Sequence, residues 1–204
     1  MTAARLAARS LQLSALLVSA LVLAGCGPVL VWHGRSPDRE RAARVVEEDG
    51  TQRLIEDETP HAAYDAIGVT HLAWTARGIA YPARSGERWR MVIDGAPGPE
   101  FDAIGEVVAH GERVAYAASD AAGWHVVIDG AIGPAFVSLR AASLRFVRDG
   151  ARSVYIGRNA RGERAVLDGT LGPSFAQVGM LSVGAKGSLI AYVGWGAGDE
   201  GASV

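Results

Sequence analysis

Three aspartates recur in one context, Asp-Gly-x-x-Gly-Pro-x-Phe, at residues 94–101, 129–136 and 168–175. Carboxylates repeated around a common centre could chelate calcium, which takes six to eight oxygens. Each is followed at once by glycine, as Asp94-Gly95, Asp129-Gly130 and Asp168-Gly169. Asp-Gly between two strands marks a type I′ hairpin turn, whose central residues both need positive φ. All three are therefore read as structural turns, and no metal site is expected. Trp89 and Trp124 stand at matching positions, five residues before Asp94 and Asp129. They can serve as stacking platforms for sugars or partner side chains, or fill the space between neighbouring elements.

Other chemistry is poorly provided for. His33, His61, His71, His110 and His125 form neither a His-x-His nor a His-Glu-x-x-His pattern, so no pair is spaced to share a metal. The sequence places His33 in a tether, His61 in an inserted loop, His71 and His125 on strands and His110 in a turn. Glu56, Asp57 and Glu58 read as a solvated acidic loop. There is no Gly-x-Ser-x-Gly elbow and no phosphate-cradling Gly-x-x-x-x-Gly-Lys, Lys186 being the only lysine. A non-enzymatic protein without a small-molecule cofactor is expected. The formal charge of −2 offers no positive field for nucleic acid. The single cysteine, Cys26, excludes an intrachain disulfide and a cysteine-based zinc site.

Cys26 stands at the end of the most specific segment of the chain. Arg5 and Arg9 precede thirteen uncharged, mostly apolar residues, 11–23, the length of a signal-peptide core and too short for a bilayer span of ~20 residues. Leu23-Ala24-Gly25-Cys26 follows and resembles the lipobox of bacterial lipoproteins. The resemblance implies a signal peptide over 1–25 and a lipidated Cys26 that anchors the mature chain to the membrane through its acyl chains. An uncleaved anchor continuing through Val29-Leu30-Val31-Trp32 is the competing reading. Gly27 stands where the resemblance would put the aspartate of an inner-membrane retention signal, and its presence instead implies the outer membrane, with the protein facing the periplasm or the surface. Removing Arg5 and Arg9 moves the charge from −2 to −4. Residues 26–40 then read as a lipidated N-terminus and tether, because Gly27-Pro28, Gly34 and Ser36-Pro37 interrupt any periodicity.

Residues 41–204 form a repeat domain. Tyr81, Tyr116 and Tyr155 each precede the motif aspartate by thirteen residues, and Tyr192 closes a similar apolar segment. Each unit reads as four short antiparallel strands, with turns at Gly78, Gly111, Gly150 and Gly187 between the first two. A degenerate upstream copy ends at Tyr64-Asp65-Ala66-Ile67-Gly68, matching Phe101-Asp102-Ala103-Ile104-Gly105. Its turn is assigned to Asp49-Gly50, with eight extra residues somewhere in 51–60.

The turn-then-strand pattern Gly111-Glu112-Arg113-Val114-Ala115-Tyr116 resembles the WD40-like repeats of bacterial periplasmic propellers related to TolB. The resemblance implies an all-β fold: a β-propeller-like array of four-stranded antiparallel blades, about three full repeats with partial ones at both ends. Thirteen residues beyond Tyr192 is position 205, past Val204. Two resolutions are open: a four-bladed ring closed by strands around 43–48 and 62–67, or an incomplete ring whose remaining blades lie elsewhere. The function expected is a lipid-anchored scaffold binding an envelope protein or polymer. The alternatives are a metal-dependent propeller hydrolase or lactonase and a fragment of a larger propeller protein.

Overall fold

The computed structural model describes residues 27–183 and 190–197. The signal peptide and Cys26 lie outside the described residues. Within these residues no helix is long and apolar enough to cross a membrane.

The fold is all-β, with four antiparallel sheets laid down in chain order. The first holds β1 (Val29–Arg35), β2 (Ala42–Glu48), β3 (Thr51–Glu56) and β4 (Thr59–Tyr64). The second holds β5 (Ala66–Ile67), β6 (Ala73–Trp74), β7 (Ile79–Ser85), β8 (Arg88–Ile93) and β9 (Ala96–Phe101). The third holds β10 (Ala103–His110), β11 (Arg113–Asp120), β12 (Gly123–Ile128) and β13 (Ala131–Ile132). The fourth holds β14 (Ser138–Leu139), β15 (Arg145–Val147), β16 (Arg152–Asn159), β17 (Gly162–Leu167) and β18 (Thr170–Leu171). It continues through Glu163 opposite Phe175 into β19 (Phe175–Val183) and β20 (Ile190–Ala197).

Each sheet buries its faces against its neighbours. Ala43, Val45 and Leu54 of the first sheet pack with Ile79, Tyr81 and Val92 of the second. Met91 and Phe101 pack with Val114 and Tyr116, and Val126 and Phe136 with Tyr155 and Val166. β7, β11 and β16 each carry five consecutive buried residues. Their unbroken small and apolar runs follow from burial on both faces, where alternation would put a polar group in the core. Pro82 sits inside β7, yet no ladder donor is lost. The carbonyl of Pro82 accepts from Gly68, so the missing N–H faces the gap where β5 and β6 are interrupted.

The recurring spacing of tyrosine, glycine and phenylalanine belongs to the junctions between successive units, two of them between sheets and the third between β19 and β20 of the fourth sheet. Phe101 meets Tyr116 edge to face at 6.2 Å, Phe136 meets Tyr155 at 6.1 Å and Phe175 meets Tyr192 at 6.2 Å. The motif glycine passes under the same tyrosine's hydroxyl. A Cβ on Gly133 would lie 2.9 Å from the Val126 carbonyl and 3.2 Å from Tyr155 Oη, so only glycine fits without displacement.

Three expectations are corrected. Residues 29–35, assigned to a tether, form strand β1 paired with β2, so the array begins at Val29 rather than at residue 41. The first unit has no insertion: its turn equivalent to Asp94-Gly95 is Asp57-Glu58, seven residues before Tyr64, and Asp49-Gly50 joins β2 to β3. Glu58 takes the glycine's role with φ 65°. β2 and β4 pair with β1 and β3 rather than completing a last blade with β19 and β20, so the composite four-bladed closure is not formed among the described residues.

Candidate functional site

The motif aspartates are exposed at hairpin tips, with φ of 50°, 49° and 47° at Asp94, Asp129 and Asp168. Gly95, Gly130 and Gly169 follow at 82°, 85° and 78°. The carboxylates also reach back to the strand before. Asp129 accepts from the Val114 N–H at 3.0 Å and from Arg113 Nε at 2.8 Å, and Asp168 accepts from the Ser153 N–H and Arg152 Nε at 2.7 and 2.6 Å. Burial pushes Asp168 up, but these hydrogen bonds outweigh it and hold the carboxyl below its ordinary range. Asp94 instead accepts from Thr75 Oγ1 at 2.7 Å. Among the described residues no three His, Cys, Asp or Glu side chains form a set able to hold a metal.

The two tryptophans are separated by the structure. Trp89 lies under the Arg84 guanidinium, 5.9 Å from its ring centre. Trp124 lines the floor of an open cleft of about 660 Å³. His33 is on β1 and His71 in the loop between β5 and β6, against the expectations of tether and strand. His61 lies on β4, and His125 is buried on β12 with its ring nitrogens near Gly133 O and Asp120 Oδ1.

The cleft arises where the first strands of successive units differ. Eleven residues run from Ile67 to Gly78 and from Leu139 to Gly150, but seven from Ile104 to Gly111. The longer units loop out, and two matching turns result: His71 N–H donates to Gly68 O at 3.0 Å and Ser143 N–H to Arg140 O at 3.2 Å. Between these loops β10 runs through with only a bulge at Gly105 and Glu106. The bulge re-aims Glu106 into the space. Burial pushes Glu106 up, while the N–H groups of Leu144 and Ala142 and nearby His71 oppose this.

A second cleft of about 550 Å³ adjoins the first and shares Arg140, Ala141 and Ala142 as its wall. Its floor is the bulge of β19 at Gly179, and Trp195 lines it. The guanidinium of Arg140 is held by the buried carboxylate of Glu163. Sequence reading missed this groove because it lies where units depart from the repeat; the unequal spacings from isoleucine or leucine to glycine were its visible trace.

A second polar cluster lies between the first and second sheets. His61 Nδ1 is 3.1 Å from Tyr81 Oη and its Nε2 is 3.6 Å from Glu56 Oε2. Arg41 Nη1 faces Glu56 Oε1 at 3.6 Å without closing a hydrogen bond. Burial pushes Glu56 up, opposed by Arg41 and reinforced by Asp57 and Asp94. Burial also pushes His61 down, opposed by Asp94.

Comparison with protein-family models, curated proteins and solved structures finds no match for this chain.

Proposed function

We propose that this protein is a non-enzymatic envelope scaffold, held to the outer membrane by lipid on Cys26 and built as a propeller-like array of blades. It binds an extended protein or polymer partner in the groove along the first strands of its units. The observation that carries this reading is the groove itself, two adjoining clefts sharing one wall across successive sheets. Serial stacking, in which Tyr116, Tyr155 and Tyr192 each dock on the preceding unit's phenylalanine and glycine, supports the blade-like arrangement. The lipobox supports the anchor.

A photo-crosslinking residue at Ala141, tested in intact producing cells, examines the groove, with the same residue at Glu87 in the β7–β8 turn as control. An adduct from Ala141 alone is expected, and absence of any adduct overturns the reading. For the anchor, Cys26→Ser is expected to abolish acyl labelling and to leave an uncleaved precursor.

A further inference from the structure

We infer that the partner in this groove is an uncharged polysaccharide, gripped by Trp124 and Trp195 as two aromatic platforms. The inference rests on the scaffold reading above and specifies its ligand.

The platforms are built alike from different parts of the sequence. Trp124 comes from β12 and Trp195 from β20, yet each packs its ring against the bulge glycine of the first strand in its own sheet region. A Cβ on Gly105 would lie 3.5 Å from Trp124 Cζ3, and one on Gly179 only 2.2 Å from Trp195 Cζ3 and Cη2. Glycine at these two bulges lets an indole rest on the backbone with its other surface available to the cleft. Trp195 keeps 54% of its surface exposed, an apolar area that water solvates poorly and a ligand can cover. An indole surface suits the C–H face of a pyranose ring, which is apolar although its rim is hydroxylated.

The rest of the lining matches that rim. Thr70, His71, Glu106 and Ser138 in one cleft, and Gln177 and Ser182 in the other, present hydroxyl, imidazole, carboxylate and amide groups. These can both donate to and accept from sugar hydroxyls. A polyanion is disfavoured, since of the two arginines lining the clefts Arg140 is already held by Glu163 and Arg145 is likewise engaged, while Glu106 contributes negative charge. A peptide strand is disfavoured for another reason: strand addition needs an unbroken row of backbone groups at a sheet edge. That edge is broken by the loops at 68–72 and 140–144 and by bulges in β10 and β19.

The test is calorimetric titration of the full chain in detergent with chitohexaose, cellohexaose and the disaccharide chitobiose. Saturable binding of a hexasaccharide, at least about tenfold tighter than chitobiose, is expected because only the longer ligand reaches both clefts. Trp124→Ala and Trp195→Ala should each weaken it about tenfold or more, whereas Trp195→Phe, which keeps a ring, should retain most of it. The thermal midpoint of Trp195→Ala, whose side chain is largely exposed, serves as the folding control. Absence of binding by either hexasaccharide, or binding indifferent to Trp195→Ala, overturns the inference. A protease-sensitive adduct from Ala141 without sugar binding would overturn the polysaccharide and leave the scaffold standing; absence of both would overturn both.

Discussion

The junction between the first and second sheets and the junctions that follow solve one problem with different chemistry. In the later ones, two between sheets and one between β19 and β20, the tyrosine of one unit meets phenylalanine edge to face and lays its hydroxyl over a glycine of the preceding unit. In the first, His61 occupies the glycine's position, four residues after Asp57 as Gly98 is after Asp94, and binds the Tyr81 hydroxyl. The first unit also carries Arg44 at the tyrosine's position, thirteen residues before Asp57. A repeat can thus hold its spacing while replacing a close-packed contact with a polar one, provided the polar group finds a partner. Where glycine remains, the tyrosine pays for tight packing: Tyr155 Oη is buried without a hydrogen-bond partner.

The largest effect is expected from breaking a regular junction. Phe136→Ala removes a ring that is 4% exposed and packed on Tyr155, and should cost ~3–5 kcal/mol in denaturant unfolding. Loss in this range would show that the junction, rather than the hairpin turns, carries the cohesion between sheets.

Deleting one hydroxyl at each kind of junction sharpens the comparison. Tyr81→Phe loses the bond to His61 and should cost ~0.5–1.5 kcal/mol. Tyr155→Phe removes a buried group that has no partner and should leave stability unchanged or raise it, since the desolvation cost of that hydroxyl disappears. Equal losses from the two substitutions would erase the distinction.

The regular units were legible for a physical reason. Positive φ at both turn centres favours Asp-Gly, and the Tyr–Phe–Gly contact demands fixed spacing, so both constraints recur in the letters. The first unit was misread because it meets the same demands with other residues, Glu58 for a turn glycine and His61 for a junction glycine. The Asp49-Gly50 turn, a real hairpin between β2 and β3, then stood in for its motif. β1 was invisible because Val29, Leu30 and Val31 are all exposed, so burial imposes no alternation on them. The groove was missed for the opposite reason: its loops of unequal length carry no repeating pattern, and Trp195 has no counterpart at equivalent positions, although Gly68, Gly105 and Gly179 each follow the unit's aromatic residue by four.

Acid should act on the first junction through His61. Burial holds its folded pKa below the ordinary imidazole value of 6.5, so the unfolded chain takes up the proton first as pH falls. The stability due to neutral His61 is present above 6.5 and is lost as pH falls through the folded value. Glu56, raised by burial, works the other way: its contribution is full below the ordinary carboxylate range and is lost as pH rises through its folded value. Tyr81, Asp94, Asp57 and Arg41 are the other titratable groups beside this pair. Urea midpoints at neutral and mildly acidic pH should therefore show wild type losing more stability than His61→Gln. Parallel losses would mean that the histidine does not titrate differently in the folded state.

The smallest expected effect comes from the exposed rim of the second junction, where Arg77 and Glu112 pair at 2.7 Å with side chains 68% and 60% exposed. Water and salt screen such a pair, and ordering two long side chains offsets much of the attraction, so Glu112→Ala should cost ~0.2–1 kcal/mol and less in high salt. Arg113, next to Glu112 in the chain, is differently placed. It donates to Gly150 O at 2.6 Å in the following sheet, pairs with Asp129 and lies 4.7 Å from the Phe146 ring centre. Arg113→Ala should therefore cost more than Glu112→Ala, and the excess should survive high salt, because a half-buried hydrogen bond and ring contact are not removed by screening. If salt abolished both losses alike, the rim would add only diffuse charge attraction, and cohesion between the sheets would reside in the aromatic contacts beneath it.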